Sequence, residues 1–355
     1  MGSWRCLLVA ALTGATLSAA QRTPDRLLVL NKGDLTMAIV DAATLQIVGR
    51  VPTGPDPHEV VATPDGALAF ISNYTAGNGS ANTLTVIDLN AKSLAGPIDL
   101  GAISRPHGLW IANGKLYFSA EGSKAVGRYD LAAKRIDWLM GSGQSRTHMV
   151  IATADGSKVF TTNIGSATVS IFEPAGGGNR GGGAPPRAGG PPPGGAAPGR
   201  GPGGAPEWNV TVIPVGRGAE GFDLSPDGRE IWTANAQDAS VSVIDVAAKS
   251  VVATIPVRFG AANRLKFTPD GKRALVSDLN GHELIVIDTA TRKETARVEV
   301  KGGAAGLQMT PDGTRAFLSV GSRNAVAVID LATLTVTSWI QTGPNPDGLA
   351  WVTGR

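Results

Sequence analysis

Three of the four histidines stand in one setting, between a turn-forming residue and an apolar run: His58 in PDPHEVV, His107 in SRPHGLW and His148 in SRTHMVI. Imidazole ligates divalent transition metals and exchanges protons near neutral pH, so three such rings beside a carboxylate could bind a metal or act as acid and base. No local catalytic motif accompanies them. There is no Gly-x-Ser-x-Gly elbow and no paired-histidine metal motif, and the single cysteine is Cys6. Gly216, Gly218 and Gly221 in GRGAEG have dinucleotide-like spacing, but a strand follows them instead of the helix whose N-terminus would hold a pyrophosphate. They read as a loop. Any site must therefore be assembled from distant parts of the chain.

The elements that could assemble it repeat. An apolar run ending in an acid occurs seven times, at Asp41, Asp88, Asp130, Glu173, Asp245, Asp288 and Asp330, at intervals of 47, 42, 43, 72, 43 and 42 residues. A second marker runs in phase, Asp-Gly at Asp65, Asp155, Asp227, Asp270 and Asp312, with ANGK near Asn113 in place of a sixth. Asp-Gly supplies the positive backbone angles of a tight hairpin, and the flanking runs are short and rich in β-branched residues. Each unit reads as four antiparallel strands, A to D, and the whole as an all-β, seven-bladed β-propeller. The first unit begins at strand B (RLLVLN) and the chain ends on a lone strand A, so residues 345–352 are expected to complete the first blade and close the ring.

That register gives the histidines a place. The start of strand A, the innermost strand, falls at His58, His107, His148, Glu220, Asn263, Ala305 and Asp347 in successive units. All seven should surround one mouth of the central channel, on the face opposite the Asp-Gly turns. His58, His107, His148 and Glu220 are the candidate ligands for a divalent transition metal, and His107, His148 and Glu220 the candidate acid–base groups. Arg105, Arg146, Arg217 and Arg258 precede strand A on the same face and, with Asn263 and Asp347, are the candidate ligand-binding residues, suited to an anion. The glycine-rich loop 74–82 should overhang this mouth. The opposing reading is that these are the polar lining of a wet channel. Asn73, Asn163 and Asn235, at the ends of strand B, read as turn-forming residues, and the strand-borne tryptophans as packing between blades.

Arg5, the apolar run CLLVAALTGATL and the small residues Ser18 to Ala20 have the layout of a secretory signal peptide spanning 1–20, which implies a periplasmic, secreted or cell-surface protein. The run is too short to span a bilayer, and no later segment qualifies. The chain carries 32 Lys and Arg against 29 Asp and Glu, but without Arg5, Arg180, Arg187 and Arg200 the folded body has 28 against 29. That balance does not point to nucleic acid, and a small-molecule or protein ligand at the mouth of a monomer is the expected partner. The 72-residue interval contains a Gly/Pro-rich insert, 174–206, with no hydrophobic residue larger than alanine or proline. It is expected to be a disordered loop between strands C and D of blade four.

The segments FISNYTAGNGSANTLTVIDL, VFTTNIGSATVSIFE and IWTANAQDASVSVIDV resemble the YVTN-type repeat of YncE-like exported propellers. The resemblance covers essentially everything outside the leader and the insert, although YFSAEG in blade three and FLSVGS in blade seven lack the asparagine. It implies an exported or surface-associated propeller, often with no assigned reaction. Related propellers include lactonases, a streptogramin-type lyase and copper-dependent oxidases, all with their chemistry at a channel mouth. The expected role is a binding module using the histidine-bearing face. The alternatives are a metal-dependent hydrolase, lyase or copper oxidase, and a passive scaffold.

Overall fold

The computed structural model describes residues 23–175 and 207–355, and these form seven four-stranded antiparallel sheets. The signal-peptide and insert readings fall outside the described residues. The innermost strands are Pro57–Ala62, Pro106–Ala112, Thr147–Ala152, Ala219–Leu224, Ala262–Phe267, Ala304–Met309 and Pro346–Val352. The last of these closes the ring as expected. It pairs with Arg26–Asn31, Arg26 facing Val352 and Val29 facing Leu349, so the first sheet is built from both ends of the chain. In the described part of blade four, Pro174 pairs with Trp208 across strands C and D, and the Ala175 amide donates to the Glu207 carbonyl at 2.7 Å.

The turns differ in detail from a two-residue hairpin. Only the glycines Gly66, Gly156, Gly228, Gly271 and Gly313 have positive φ, between +63° and +73°. The preceding aspartate acts through its side chain: Asp155 accepts from the Thr153 hydroxyl at 2.6 Å and the Ser157 amide at 3.0 Å. The loop is thus four residues long and closed by the Thr153 amide on the Lys158 carbonyl. The acid ending strand C works similarly. Asp41 accepts the amides of Ala43 and Thr44, which explains why an acid recurs there without any site chemistry.

The core lies between blades. Trp232 is fully buried against Phe267 of the next blade at 5.4 Å between rings, and Trp138 meets Trp208 within and beside blade four at 4.8 Å. All six strand-borne tryptophans are on strands as expected, but Trp110 and Trp351 also face the lower part of the central channel. Asn163 and Asn235 are buried and donate to hydroxyls of strand C, Thr168 and Ser170 in one blade and Ser240 and Ser242 in the other. The partner is thus the neighbouring strand and not the residue's own turn, because the amide points along the sheet. Among the described residues no helix is long and apolar enough to cross a membrane.

Candidate functional site at the channel mouth

Each innermost strand begins with a break in register against strand B, between Pro57 and Val60, Pro106 and Leu109, Thr147 and Val150, and at the equivalent places of the other blades. A bulge re-aims side chains at the end of a strand. Here it turns the residues at the strand start toward the axis. A hydroxyl near the end of strand B then fixes them. Ser119 donates to the carbonyl of His148, Thr162 to that of Glu220 at 2.9 Å, Ser277 to that of Ala305 at 2.8 Å and Ser319 to that of Asp347 at 2.7 Å, each in the following blade. Several of the same oxygens also accept the bulge amide of their own blade, as Ser119 does from Gly108 at 2.8 Å. Hydroxyl residues at this point of the repeat therefore set the ring of mouth residues from blade to blade.

The seven residues expected at the start of strand A all line one cavity of about 460 Å³. His107 and His148 are each only 4% exposed. Their rings stack at 3.8 Å between centroids and 32° between planes, and His58 continues the row 5.0 Å from His107. His148 sits between two carboxylates: its Nδ1 is 2.5 Å from Oε1 of Glu121 and its Nε2 2.9 Å from Oε1 of Glu220. Burial alone would push this imidazole down, but Glu220 and Glu121 outweigh it and raise the pKa to about 9. Burial opposes the ionisation of Glu121 as well, yet the bonds from His148 and Tyr74 hold it at about 2. The pair is an imidazolium locked by carboxylates.

The other two histidines are neutral. Burial, then the charges of His148 and other neighbours, hold His107 well below its ordinary value. Burial and the Lys32 ammonium bring His58 to about 4. Lys32 Nζ lies 2.9 and 3.3 Å from the two nitrogens of His58, and Nε2 of His58 is 3.1 Å from Asp56. Nδ1 of His107 is buried and has no hydrogen-bond partner.

Lys32, Glu121, Glu59 and Arg264 also belong to the site and were not expected there, whereas Tyr74 opens the loop 74–82 expected at this mouth. Lys32, Tyr74 and Glu121 each follow the last residue of strand B in consecutive blades, and that position carries a usable signal, since its residues reach the mouth beside the strand A ring. Tyr74 donates its phenol to Glu121 at 2.5 Å and accepts from Arg105 at 2.6 Å, and burial followed by the Glu121 bond raises it to about 12. Glu59 and Arg264, one residue further along strand A, form a buried ion pair between blades two and six. This pair divides the axis into the mouth and a second chamber of about 290 Å³ on the Asp-Gly side.

The expected arginines separate. Arg146 lines the cavity, 3.7 Å from Glu121. Arg105 stacks over Tyr74 at 4.4 Å and braces it. Arg217 turns to Asp238 at 2.7 Å and Arg258 is exposed, and neither lines the cavity. Asn263 and Asp347 do, the first 3.5 Å from Glu220 and the second 3.5 Å from Lys32. Loop 74–82 folds as a small ribbon, Thr75–Ala76 on Gly79–Ser80, anchored where Thr75 donates to Asp56 at 2.6 Å.

The four candidate metal ligands lie at one mouth, but they do not fit a metal centre as arranged. Both nitrogens of His148 face carboxylates, and His107 stacks on its ring instead of sharing a point with it. Among the described residues no group of three His, Cys, Asp or Glu side chains is disposed to hold an ion.

No family model and no curated protein matches this sequence. Solved structures do. A functionally unknown protein from Desulfotomaculum acetoxidans is similar with a TM-score of 0.72 at 11% identity, covering 92% of this chain and 99% of that one. A protein provisionally assigned as a 6-phosphogluconolactonase from Bacteroides uniformis gives 0.69 at 12% identity, with 92% and 99% covered. Hydrazine synthase from Kuenenia stuttgartiensis gives 0.64 at 17%, with 91% and 99% covered. At such identities the likeness is one of fold alone, and by that fold the chain is a seven-bladed β-propeller.

Proposed function

We propose that this chain is an exported propeller of the YVTN-repeat type that binds a small polar ligand in its histidine-lined mouth. The single observation that carries this reading is the cavity of about 460 Å³ on which the residues at the start of all seven innermost strands, His107 among them, converge. A volume of this size lies in the ~300–1,000 Å³ range of small-molecule sites. Export is supported by the apolar leader that follows Arg5, and membership of the repeat family by the strand B and C segments.

The test uses the mouth's one small ring residue. Ala305→Trp places a large side chain at the mouth, and a library of polar metabolites is screened by ligand-observed NMR against both forms. Ligands that bind the native chain and are lost in the variant support the reading. Ligands that bind both equally, or a library with no binder, count against it.

A second reading rests on the chain Glu220–His148–Glu121–Tyr74, which joins two carboxylates, an imidazolium and a phenol by contacts of 2.5 to 2.9 Å. Such a chain can hold a proton at the cavity wall, as an acid–base enzyme of lactonase or lyase type would require. Its discriminating result is turnover of a cyclic ester that is lost in Glu121→Gln.

A further inference from the structure

Beside its bonded contacts, such as Lys32 with His58 and His148 with Glu121 and Glu220, the mouth holds donor–acceptor pairs at long range. Lys32 Nζ is 3.5 Å from both Asp56 and Asp347, Arg146 Nε is 3.7 Å from Glu121, and Asn263 Nδ2 is 3.5 Å from Glu220. Direct N–H···O bonds fall at ~2.7–3.2 Å. An oxygen that both accepts and donates can bridge each pair, accepting from the nitrogen and donating to the carboxylate. A hydroxyl is such a group. A carboxylate or phosphate accepts from Lys32 but meets Asp56 and Asp347 with repulsion, and an ammonium meets Lys32 in the same way. The charges around the mouth also balance: Lys32, Arg105, Arg146, His148 and Arg264 oppose Asp56, Glu59, Glu121, Glu220 and Asp347. A net-charged guest therefore finds no unopposed partner.

The shape agrees with this chemistry. Rings of His58, Tyr74 and His107 form one wall, each within 5.4 Å of the next. Across from them Gly303, Ala305 and Gly321 carry little side chain and leave the space open. A ring of aliphatic carbons bearing hydroxyls can lie against the first wall and reach the polar pairs at the rim.

We propose that the mouth takes a neutral, hydroxyl-rich cyclic ligand, a monosaccharide or cyclic polyol, an inference that rests on the mouth being a ligand site. A ligand hydroxyl beside such a pair accepts from the nitrogen and donates to the carboxylate, so one uncharged group serves both partners.

Calorimetric titration with glucose, galactose, ribose and myo-inositol, beside glucuronate and glucosamine as charged probes of similar size, tests it. The expected result is heat from at least one neutral probe, an affinity that holds as salt rises to ~0.5 M, and a roughly tenfold loss in both Asp347→Asn and Lys32→Met. Circular dichroism melts establish that these variants fold. Binding by glucuronate or glucosamine alone, weakened by salt and lost in Ala305→Trp, overturns the polyol class and leaves the mouth as the site. A neutral probe that binds Ala305→Trp unchanged overturns the inference by placing the site elsewhere. Heat from none of the neutral probes also overturns it, and the metabolite screen in the blocked variant then decides the mouth reading by itself.

Discussion

The imidazole of His107 lies on that of His148 with centroids 3.8 Å apart, a neutral ring stacked on a charged one. The charge of His148 is fixed by Glu121 and Glu220, and it helps keep His107 neutral. One ring is thus a structural cation and the other a neutral ring that lines the cavity.

Stability should peak near pH 6.5 and fall on both sides. His148 has a raised folded pKa, about 9, so its contribution is complete below the unfolded value of ~6.5 and is lost as pH rises toward 9. His58 is depressed to about 4 and His107 is also lowered, so the unfolded chain takes up protons first as pH falls below ~6.5 and stability declines again. Glu121 adds its loss as pH falls from the ordinary carboxylate range toward 2. Melting temperatures across pH 4 to 10 check this, and His148→Gln should remove the alkaline decline while leaving an acid one.

Glu121→Gln should be costly. It leaves the imidazolium of His148 with one carboxylate and replaces the anion that Tyr74 bonds, and breaking a buried pair typically costs about 3–5 kcal/mol. Urea unfolding should place the loss in this range. The double variant with His148→Gln should lose less than the sum of the two single changes, since each removes the other's reason for being charged.

Thr162→Val tests the hydroxyl clasp. The methyl keeps the volume but removes the bond to the Glu220 carbonyl at 2.9 Å and the acceptor for the Met149 amide at 3.3 Å. A loss of about 1–2 kcal/mol is expected. Thr162→Ser should restore most of it, whereas equal losses in both would assign the effect to packing.

Removing residues 176–206 should leave the melting temperature nearly unchanged. Ala175 and Glu207 already bond across the hairpin at 2.7 Å, so a short turn can join them, and loop length itself contributes little. A fall of ten degrees or more would make the segment part of the folded structure.

The blades and the mouth ring were legible because a period of about 42 residues gives every position its equivalent in the other blades. That placed His58, His107, His148, Glu220, Asn263, Ala305 and Asp347 together from sequence. Partner choice was not legible. Arg217 reaches Asp238 and Arg105 reaches Tyr74 through side-chain rotamers that no period encodes. Glu121 was hidden because blade three departs from the repeat there: Ala120 replaces the asparagine and the following residue carries the charge. As arranged, His58, His107, His148 and Glu220 do not share one point, since the register brings the side chains together without setting where their lone pairs aim.

Nitrogen-15 NMR of the histidine rings at pH 7.5, with and without a ligand found by the metabolite screen, tests the central claim most directly. The expected result is a doubly protonated His148, neutral His58 and His107, and a ligand-induced shift at His107 with none at the exposed His282. A neutral His148 in the free protein, or a bound ligand that leaves the His107 nitrogens unmoved, would contradict it.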